Sequence, residues 1–138
     1  MINAAVVGMG RWGQTLVNSV ADGSDAISFV AGTTRTLSKV EDYAAEKNIR
    51  LHSSYEDVMA DDAVDAVVLA SPHSAHFDQI MAAVDAGKHV FCEKPFCLSG
   101  DQAKTALDAL AAKGLKVAIG HNRRFSPNAI KLKRMIDS

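Results

Sequence analysis

The sequence has few cysteines, no excess of charge of either sign and no long apolar run. Its two cysteines, Cys92 and Cys97, are too few for a disulfide scaffold and lack the CxxC spacing of a redox pair. The formal net charge of −1, from 15 basic and 16 acidic residues, does not indicate binding to nucleic acid or to an anionic membrane. No apolar stretch approaches the length of a membrane span. The simplest expectation is a cytoplasmic protein with reduced thiols.

The sequence also lacks a positively charged stretch before its first apolar run, and that run ends in a glycine-rich turn, so a secretion signal is not expected. It has no internal repeat, linker or low-complexity segment that would divide it. What it does have is 138 residues, 48% of them hydrophobic and 22% charged, which is typical of a globular domain with a proper core. We therefore expect residues 1–138 to form a single domain.

Short apolar runs alternate with amphipathic stretches along the whole chain, a pattern typical of strand-helix-strand units on a parallel sheet. The predicted strands lie near Asn3–Val7, Ile27–Ala31, Arg50–His52, Ala66–Ala70, His89–Cys92 and Lys116–Ile119. Predicted helices follow the glycine turn, span 37–47 and 55–59, carry the apolar repeats of 77–84 and 103–110, and begin at Ser126-Pro127. This pattern predicts an α/β fold of the Rossmann type, a doubly wound parallel sheet in three layers with strand order 3-2-1-4-5-6.

Three glycines between the first strand and the first helix predict a phosphate-binding turn. Gly8 lets the chain leave the strand sharply, Gly10 lets the backbone approach a pyrophosphate, and Gly13 lets the helix pack closely on the strand. The free N–H groups at the start of that helix would hold the anion. The alternative is a turn that merely needs positive φ angles. The residues predicted to contact a dinucleotide here are Gly8, Met9, Gly10, Arg11, Trp12 and Gly13.

The segment after the second strand indicates which dinucleotide is bound. An NAD site usually places an acidic residue about 20 positions past the glycines, where it binds the ribose hydroxyls. Here the chain has Thr33, Thr34 and Arg35, and no carboxylate until Glu41. Arg35 and the threonine hydroxyls could pair with a 2′-phosphate, which favours NADP(H) over NAD(H). The alternative is an ordinary solvated arginine near a helix start.

Three further segments follow later strands: 65–72 with His76 beyond it, Glu93-Lys94-Pro95, and 120–125. Together with the glycine turn, and in this order, they resemble the Gfo/Idh/MocA family of nicotinamide-dependent oxidoreductases, named after glucose-fructose oxidoreductase and inositol dehydrogenase. The four segments span nearly the whole chain, and their conjunction is more specific than any one of them. Other Rossmann dehydrogenases would not be expected to show Glu-Lys-Pro after the fifth strand.

The resemblance implies roles for residues at the ends of the fourth and fifth strands. Lys94 would sit by the nicotinamide and the substrate hydroxyl, where it assists proton transfer as hydride leaves carbon, and it is the candidate catalytic residue. The Lys94–Pro95 bond is often cis in the family. Ser71, Pro72 and His76 would lie around the ribose and nicotinamide, and Glu93 would contact the cofactor. The alternative for Lys94 is an ordinary surface charge.

Two other groups of side chains have competing interpretations. His73 and His76 could be a metal pair, but no cysteine or carboxylate cluster accompanies them, so no metal site is expected. Arg123 and Arg124 are either an anion site or a surface pair before Phe125, and the sequence favours neither.

The resemblance also implies a longer enzyme, in which a second domain supplies the substrate pocket for sugars, polyols and related hydroxy compounds. The sequence ends about where the family crosses into that domain, so a small-molecule substrate is expected only if a second domain is present. Three interpretations remain: the N-terminal domain of a dehydrogenase, which is favoured; a stand-alone module that binds or senses NADP(H); and one half of a split enzyme. The apolar residues of the last predicted helix favour a homo-oligomer.

Overall fold

The computed structural model describes residues 1–21 and 24–138. Six parallel strands form one sheet in the order β3-β2-β1-β4-β5-β6, which confirms the predicted Rossmann-type topology. The strands are β1 (Ile2–Val7), β2 (Ile27–Thr33), β3 (Arg50–Leu51), β4 (Ala66–Leu69), β5 (His89–Cys92) and β6 (Val117–Ile119). Each differs from its predicted bounds by at most two residues at either end.

Among the described residues, six α-helices connect these strands or follow them. They are α1 (Arg11–Ala21), α2 (Glu41–Glu46), α3 (Tyr55–Met59), α4 (His76–Asp85), α5 (Gly100–Ala112) and α6 (Pro127–Asp137). Ser126 caps α6 as predicted, because its Oγ accepts a hydrogen bond from Ala129 N and Pro127 occupies the first turn. No helix of the described residues is both long enough and apolar enough to cross a membrane.

The predicted helix over residues 37–47 is wrong in one respect, because the chain breaks it in two. A 3-10 turn covers Leu37–Lys39, and α2 begins only at Glu41. Between them Val40 has φ −130° and ψ 3°, outside the helical region, and its side chain is buried in the core beneath. The free energy gained by burying this valine therefore exceeds the free energy lost by interrupting the helix.

The sheet is covered on both faces, as its alternating side chains show. Ala5 and Val7 of β1 enter the larger core, which includes Val58 of α3 and Ile80 of α4. Val6 enters a smaller core with side chains of α1 and α2. The two cores and the sheet between them form three layers, which leaves the carboxyl ends of the strands free along one edge.

The first helix differs from expectation in which side chains it buries, and the last helix buries none. In α1 the buried positions are Gly13 and Val17, whereas Trp12 remains 42% exposed. The spacing of four between Trp12, Leu16 and Val20 predicts an apolar stripe along this helix, and that stripe is displaced by one residue from the buried positions Gly13 and Val17. In α6 no side chain is buried, and its large apolar residues are all exposed.

Candidate functional site

The turn between β1 and α1 depends on two glycines for its close backbone contacts. Gly8 has φ +92°, and a Cβ there would lie 2.7 Å from Ala70 O. A Cβ on Gly13 would lie 2.1 Å from Gly8 O, so α1 reaches the strand only with glycine at this position. These contacts hold the turn against the end of β4.

Gly10 differs from the other two, because a Cβ there would meet nothing within 4 Å. It immediately precedes α1, and its carbonyl accepts a hydrogen bond from Gln14 N. The first turn of α1 contains no acidic residue. The helix therefore presents unscreened N–H groups and the positive end of its dipole to open space above Gly10.

One cavity of about 470 Å³ opens beside this turn, and we call it the glycine-turn side of the cleft. Its lining residues are Val7, Gly8, Met9, Gly10, Thr34, Arg35, Thr36, Lys39, Val40, Ala70, Ser71, Pro72, Ala75 and Gln79. Two cations, Arg35 and Lys39, are in this lining, and no carboxylate is. Sequence reasoning missed Lys39, the last residue of the 3-10 turn.

A second cavity of about 400 Å³ lies on the other side of the turn, and we call it the lysine side. Its lining residues are Trp12, Ala70, Ser71, His73, Glu93, Lys94, Asn122 and Arg123. Ala70 and Ser71 line both cavities, so the cleft runs along the strand ends from β2 to β6. Arg123 reaches this lining, whereas Arg124 does not.

The Glu93-Lys94-Pro95 segment lies at the floor of the lysine side. The Lys94–Pro95 bond is cis, as the resemblance implied. Glu93 is only 8% exposed, and its Oε2 accepts a hydrogen bond from Lys94 N at 3.3 Å. A Cβ on Gly120 would lie 2.4 Å from Glu93 Oε1, so the carboxylate occupies the space that this glycine leaves. Lys94 Nζ has no hydrogen-bond or ion-pair partner among the described residues.

Cys92 lies directly beneath this segment, where its side chain is fully buried. Burial raises the pKa of the Cys92 thiol to about 12, with smaller contributions from Cys97 and from Glu93. Burial likewise raises the pKa of Tyr55, whose hydroxyl donates to Gln79 O at 2.7 Å. Both groups are therefore neutral near pH 7 and act as packing and hydrogen-bonding groups.

The structure brings most of the predicted site residues to the cleft. Those in its lining are Gly8, Met9, Gly10, Trp12, Thr34, Arg35, Ser71, Pro72, Glu93 and Lys94. Arg11 and Gly13 are not in it. Thr33 is not either, because it is 6% exposed and its Oγ1 donates to His52 O at 3.0 Å. Its hydroxyl is therefore not directed at the cleft, and Thr36, which the sequence did not single out, is in the lining instead.

His76 also lies outside the lining, since its side chain is 0% exposed. Its Nδ1 is 2.8 Å from Pro95 O and its Nε2 is 3.1 Å from Ser71 O. The ring thus has no surface for a ligand and lies behind the wall of the cleft. The described residues contain no group of three or more histidine, cysteine or acidic side chains placed to hold a metal ion.

A doubly wound parallel sheet with a glycine turn and a cleft at its strand ends defines a dinucleotide-binding Rossmann domain. Residues 2–121 match the family model described as "Oxidoreductase family, NAD-binding Rossmann fold". The chain belongs to this family, Gfo/Idh/MocA, and forms an NAD-binding oxidoreductase domain of it.

Several similar proteins are named as inositol dehydrogenases. The chain is 32% identical to scyllo-inositol 2-dehydrogenase (NAD(+)) of Bacillus subtilis and 34% identical to inositol 2-dehydrogenase of Rhodococcus erythropolis, covering 99% of this chain and 40% of each relative. The scyllo-inositol dehydrogenase of Lactobacillus casei, solved with NAD(H) and scyllo-inositol, superposes with a TM-score of 0.90 at 28% identity. That match covers 99% of this chain and 41% of the solved one. The chain thus spans about 40% of the length of these relatives.

Proposed function

We propose that the cleft binds NADP(H) in preference to NAD(H), with the adenosine end on the glycine-turn side. The observation that carries this proposal is the pair of cations, Arg35 and Lys39, in a lining that contains no carboxylate. A carboxylate after β2 would bind the ribose hydroxyls of NAD(H) and repel a 2′-phosphate. Two cations and no carboxylate favour the phosphate.

The residues of the turn fit the rest of the dinucleotide. Above Gly10 the space that a Cβ would occupy is free, so a pyrophosphate could approach the backbone there. The N-terminus of α1 would stabilise its negative charge. Ser71 lines both cavities, so the nicotinamide end would reach the lysine side past this residue.

The test is calorimetric titration of the chain with NADPH and NADH, repeated for Arg35→Ala and Lys39→Ala. We expect each substitution to weaken NADPH binding about tenfold or more and to change NADH binding less than about threefold, because only the phosphate contact is lost. Arg134→Ala, which removes an exposed arginine of α6, is the matched control. Equal binding of NADPH and NADH by the wild type would contradict the preference while leaving the dinucleotide site intact.

We further propose that the protein carrying this domain oxidises a sugar, a polyol such as an inositol, or a related hydroxy compound. The chemistry that a bound nicotinamide supplies is transfer of a hydride to or from a carbon that bears oxygen. Lys94 would take up or return the hydroxyl proton at its Nζ, which has no protein partner among the described residues. Trp12 and Arg123 line the same cavity and would contact the substrate or the nicotinamide.

Substitution of Lys94 distinguishes a role in proton transfer from a role in cofactor binding. In the natural polypeptide that carries the domain, we expect Lys94→Met to lower hydride transfer from myo-inositol at least about a hundredfold. NADPH affinity measured by titration should stay within about threefold, since the lysine lies away from the glycine turn. Loss of affinity without a separate loss of rate would instead make Lys94 a cofactor-binding residue only.

The exposed apolar side chains of α6 support a further proposal, that the chain forms a homo-oligomer. Leu132 is 58% exposed, Met135 66% and Ile136 70%. Sedimentation velocity should show oligomers that Met135→Lys weakens. A strictly monomeric wild type would contradict this proposal.

A further inference from the structure

His76 is the one fully buried histidine of the described residues, and it begins α4. A polar side chain removed from water is unfavourable unless its polar atoms form hydrogen bonds. Here each ring nitrogen faces a main-chain carbonyl oxygen, Nδ1 that of Pro95 at 2.8 Å and Nε2 that of Ser71 at 3.1 Å. A neutral imidazole donates one of these hydrogen bonds at a time, and the doubly protonated ring donates both. The side chain thus lies between two loops, with one ring nitrogen within hydrogen-bond distance of the backbone of each.

The two carbonyls belong to the two segments that border the lysine side. Ser71 follows β4, and its backbone N would lie 2.9 Å from a Cβ on Gly8, so it packs against the glycine turn. Pro95 directly follows Lys94 along the chain. A link between Ser71 and Pro95 is therefore a link between the glycine turn and the segment that carries the lysine.

Among the described residues, the hydrogen bonds that join segment 70–75 to segment 94–97 both run through this ring. The nearest sheet bond, from Glu93 N to Leu69 O, lies before both segments begin. Cys92 Sγ adds a contact to Nδ1 at 3.3 Å from below. Without the imidazole, the segment that contains Lys94 and Pro95 would have the sheet hydrogen bond of Glu93 before it, but no polar contact with the segment that contains Ser71.

We propose that His76 is a positioning residue, whose imidazole holds the backbones of Ser71 and Pro95 together and so directs Lys94 toward the nicotinamide end of the cleft. The inference rests on the proposed function, in which the nicotinamide occupies the lysine side. It assigns His76 no contact with cofactor or substrate, because the ring is fully buried.

The test uses His76→Phe, which keeps a ring but has no donor, and His76→Asn, which keeps one donor near the position of Nδ1. Ile80→Val, one turn further along α4 and equally buried, is the matched control for a general loss of packing. Each variant is titrated with NADPH and with 2′,5′-ADP, which lacks the nicotinamide. The emission of bound NADPH reports the surroundings of the nicotinamide ring.

We expect His76→Phe to weaken NADPH about tenfold and to change its bound emission, because the backbones of Ser71 and Pro95 both shift, whereas Lys94→Met leaves both in place. The affinity for 2′,5′-ADP should change less than about twofold. His76→Asn should recover part of the NADPH affinity, and Ile80→Val should leave both ligands unaffected. Equal weakening of both ligands by His76→Phe, or no weakening of either, would overturn the inference.

Failure of the proposed function would look different, because the wild type itself would then bind neither ligand. The inference would still be tested by backbone amide NMR spectra of the wild type and His76→Phe without ligand. A positioning role predicts shifted signals for Ser71 and Lys94 as well as for α4. Shifts confined to α4 would overturn it.

Discussion

The two sides of the cleft are built in different ways. The glycine-turn side depends on main-chain geometry within one short segment, where Gly8 and Gly13 allow contacts that no side chain would fit. The lysine side is assembled from side chains of α1 and of the segments after β4, β5 and β6. A local motif therefore describes the turn of the first side, although the segments after β2 and β4 complete its lining, whereas no part of the second side is described by one motif.

The largest difference is expected from glycine substitutions within the turn itself. Gly13→Ala should destabilise the fold by more than about 3 kcal/mol, because its Cβ would overlap Gly8 O at 2.1 Å. Gly10→Ala, three residues away, should change stability by less than about 1 kcal/mol, because its Cβ meets nothing within 4 Å. Urea denaturation of both variants checks this contrast. Similar losses would show that the backbone contacts of Gly13 are not what holds the turn.

On the lysine side the corresponding substitution is Gly120→Ala, which we expect to cost about 1–3 kcal/mol. Its Cβ would lie 2.4 Å from Glu93 Oε1, and a side chain can move where a backbone cannot, so the loss should be smaller than at Gly13. Gly100→Ala at the start of α5, where a Cβ meets nothing within 4 Å, is the matched control. A Gly120→Ala variant as stable as this control would mean that Glu93 has room elsewhere.

The loop between α3 and β4 should show a pH-dependent contribution to stability from Asp61, which pairs with Arg50 and His52. The hydrogen bond from Ala63 N lowers the pKa of this carboxyl, against an opposing effect of burial, and His52 and Arg50 lower it further. A carboxyl whose pKa is lower in the folded state than in the unfolded state stabilises the fold at pH values above the unfolded-state pKa. This stabilisation is lost as the pH falls through the folded-state pKa. Asp61→Asn should therefore cost about 1–2 kcal/mol near pH 7 and much less near pH 3.

Denaturation midpoints at the two pH values check this prediction. Asp108→Asn is the control, because that carboxylate pairs with Lys104 on the exposed face of α5 and should contribute little. An equal loss of stability in Asp61→Asn at both pH values would show that the contribution of Asp61 does not depend on its ionisation.

The smallest effect is expected for the chemical reactivity of two thiols, those of Cys92 and Cys97. Because burial raises the pKa of Cys92 to about 12, its thiolate is scarce at neutral pH, and the side chain is fully buried. Iodoacetamide should label the partly exposed Cys97 at least about ten times faster. Peptide mass spectrometry of the labelled native chain measures this ratio, and faster labelling of Cys92 would show that the floor of the cleft opens.

Periodicity and turn chemistry were sufficient to predict the strands and α3, because each depends on local sequence. The sheet order was predicted from the fold class that alternating strands and helices indicate. They failed where tertiary packing decides the outcome. Val40 interrupts a predicted helix to fill the core, and Trp12 faces the cleft although it has helical spacing with Leu16. Lys39, in the 3-10 turn before that interruption, also lines the site. Nothing in the sequence indicates that the missing side chain of Gly120 leaves room for Glu93, because the contact joins the segments that follow two different strands, β5 and β6.

The most direct test of the account is titration of NADPH into the wild-type chain and into Gly10→Val. We expect micromolar binding that the valine abolishes, with the thermal midpoint nearly unchanged, because the valine side chain would fill the open space above the turn and not the core. Equal binding by the two chains would contradict the placement of the dinucleotide at the glycine turn.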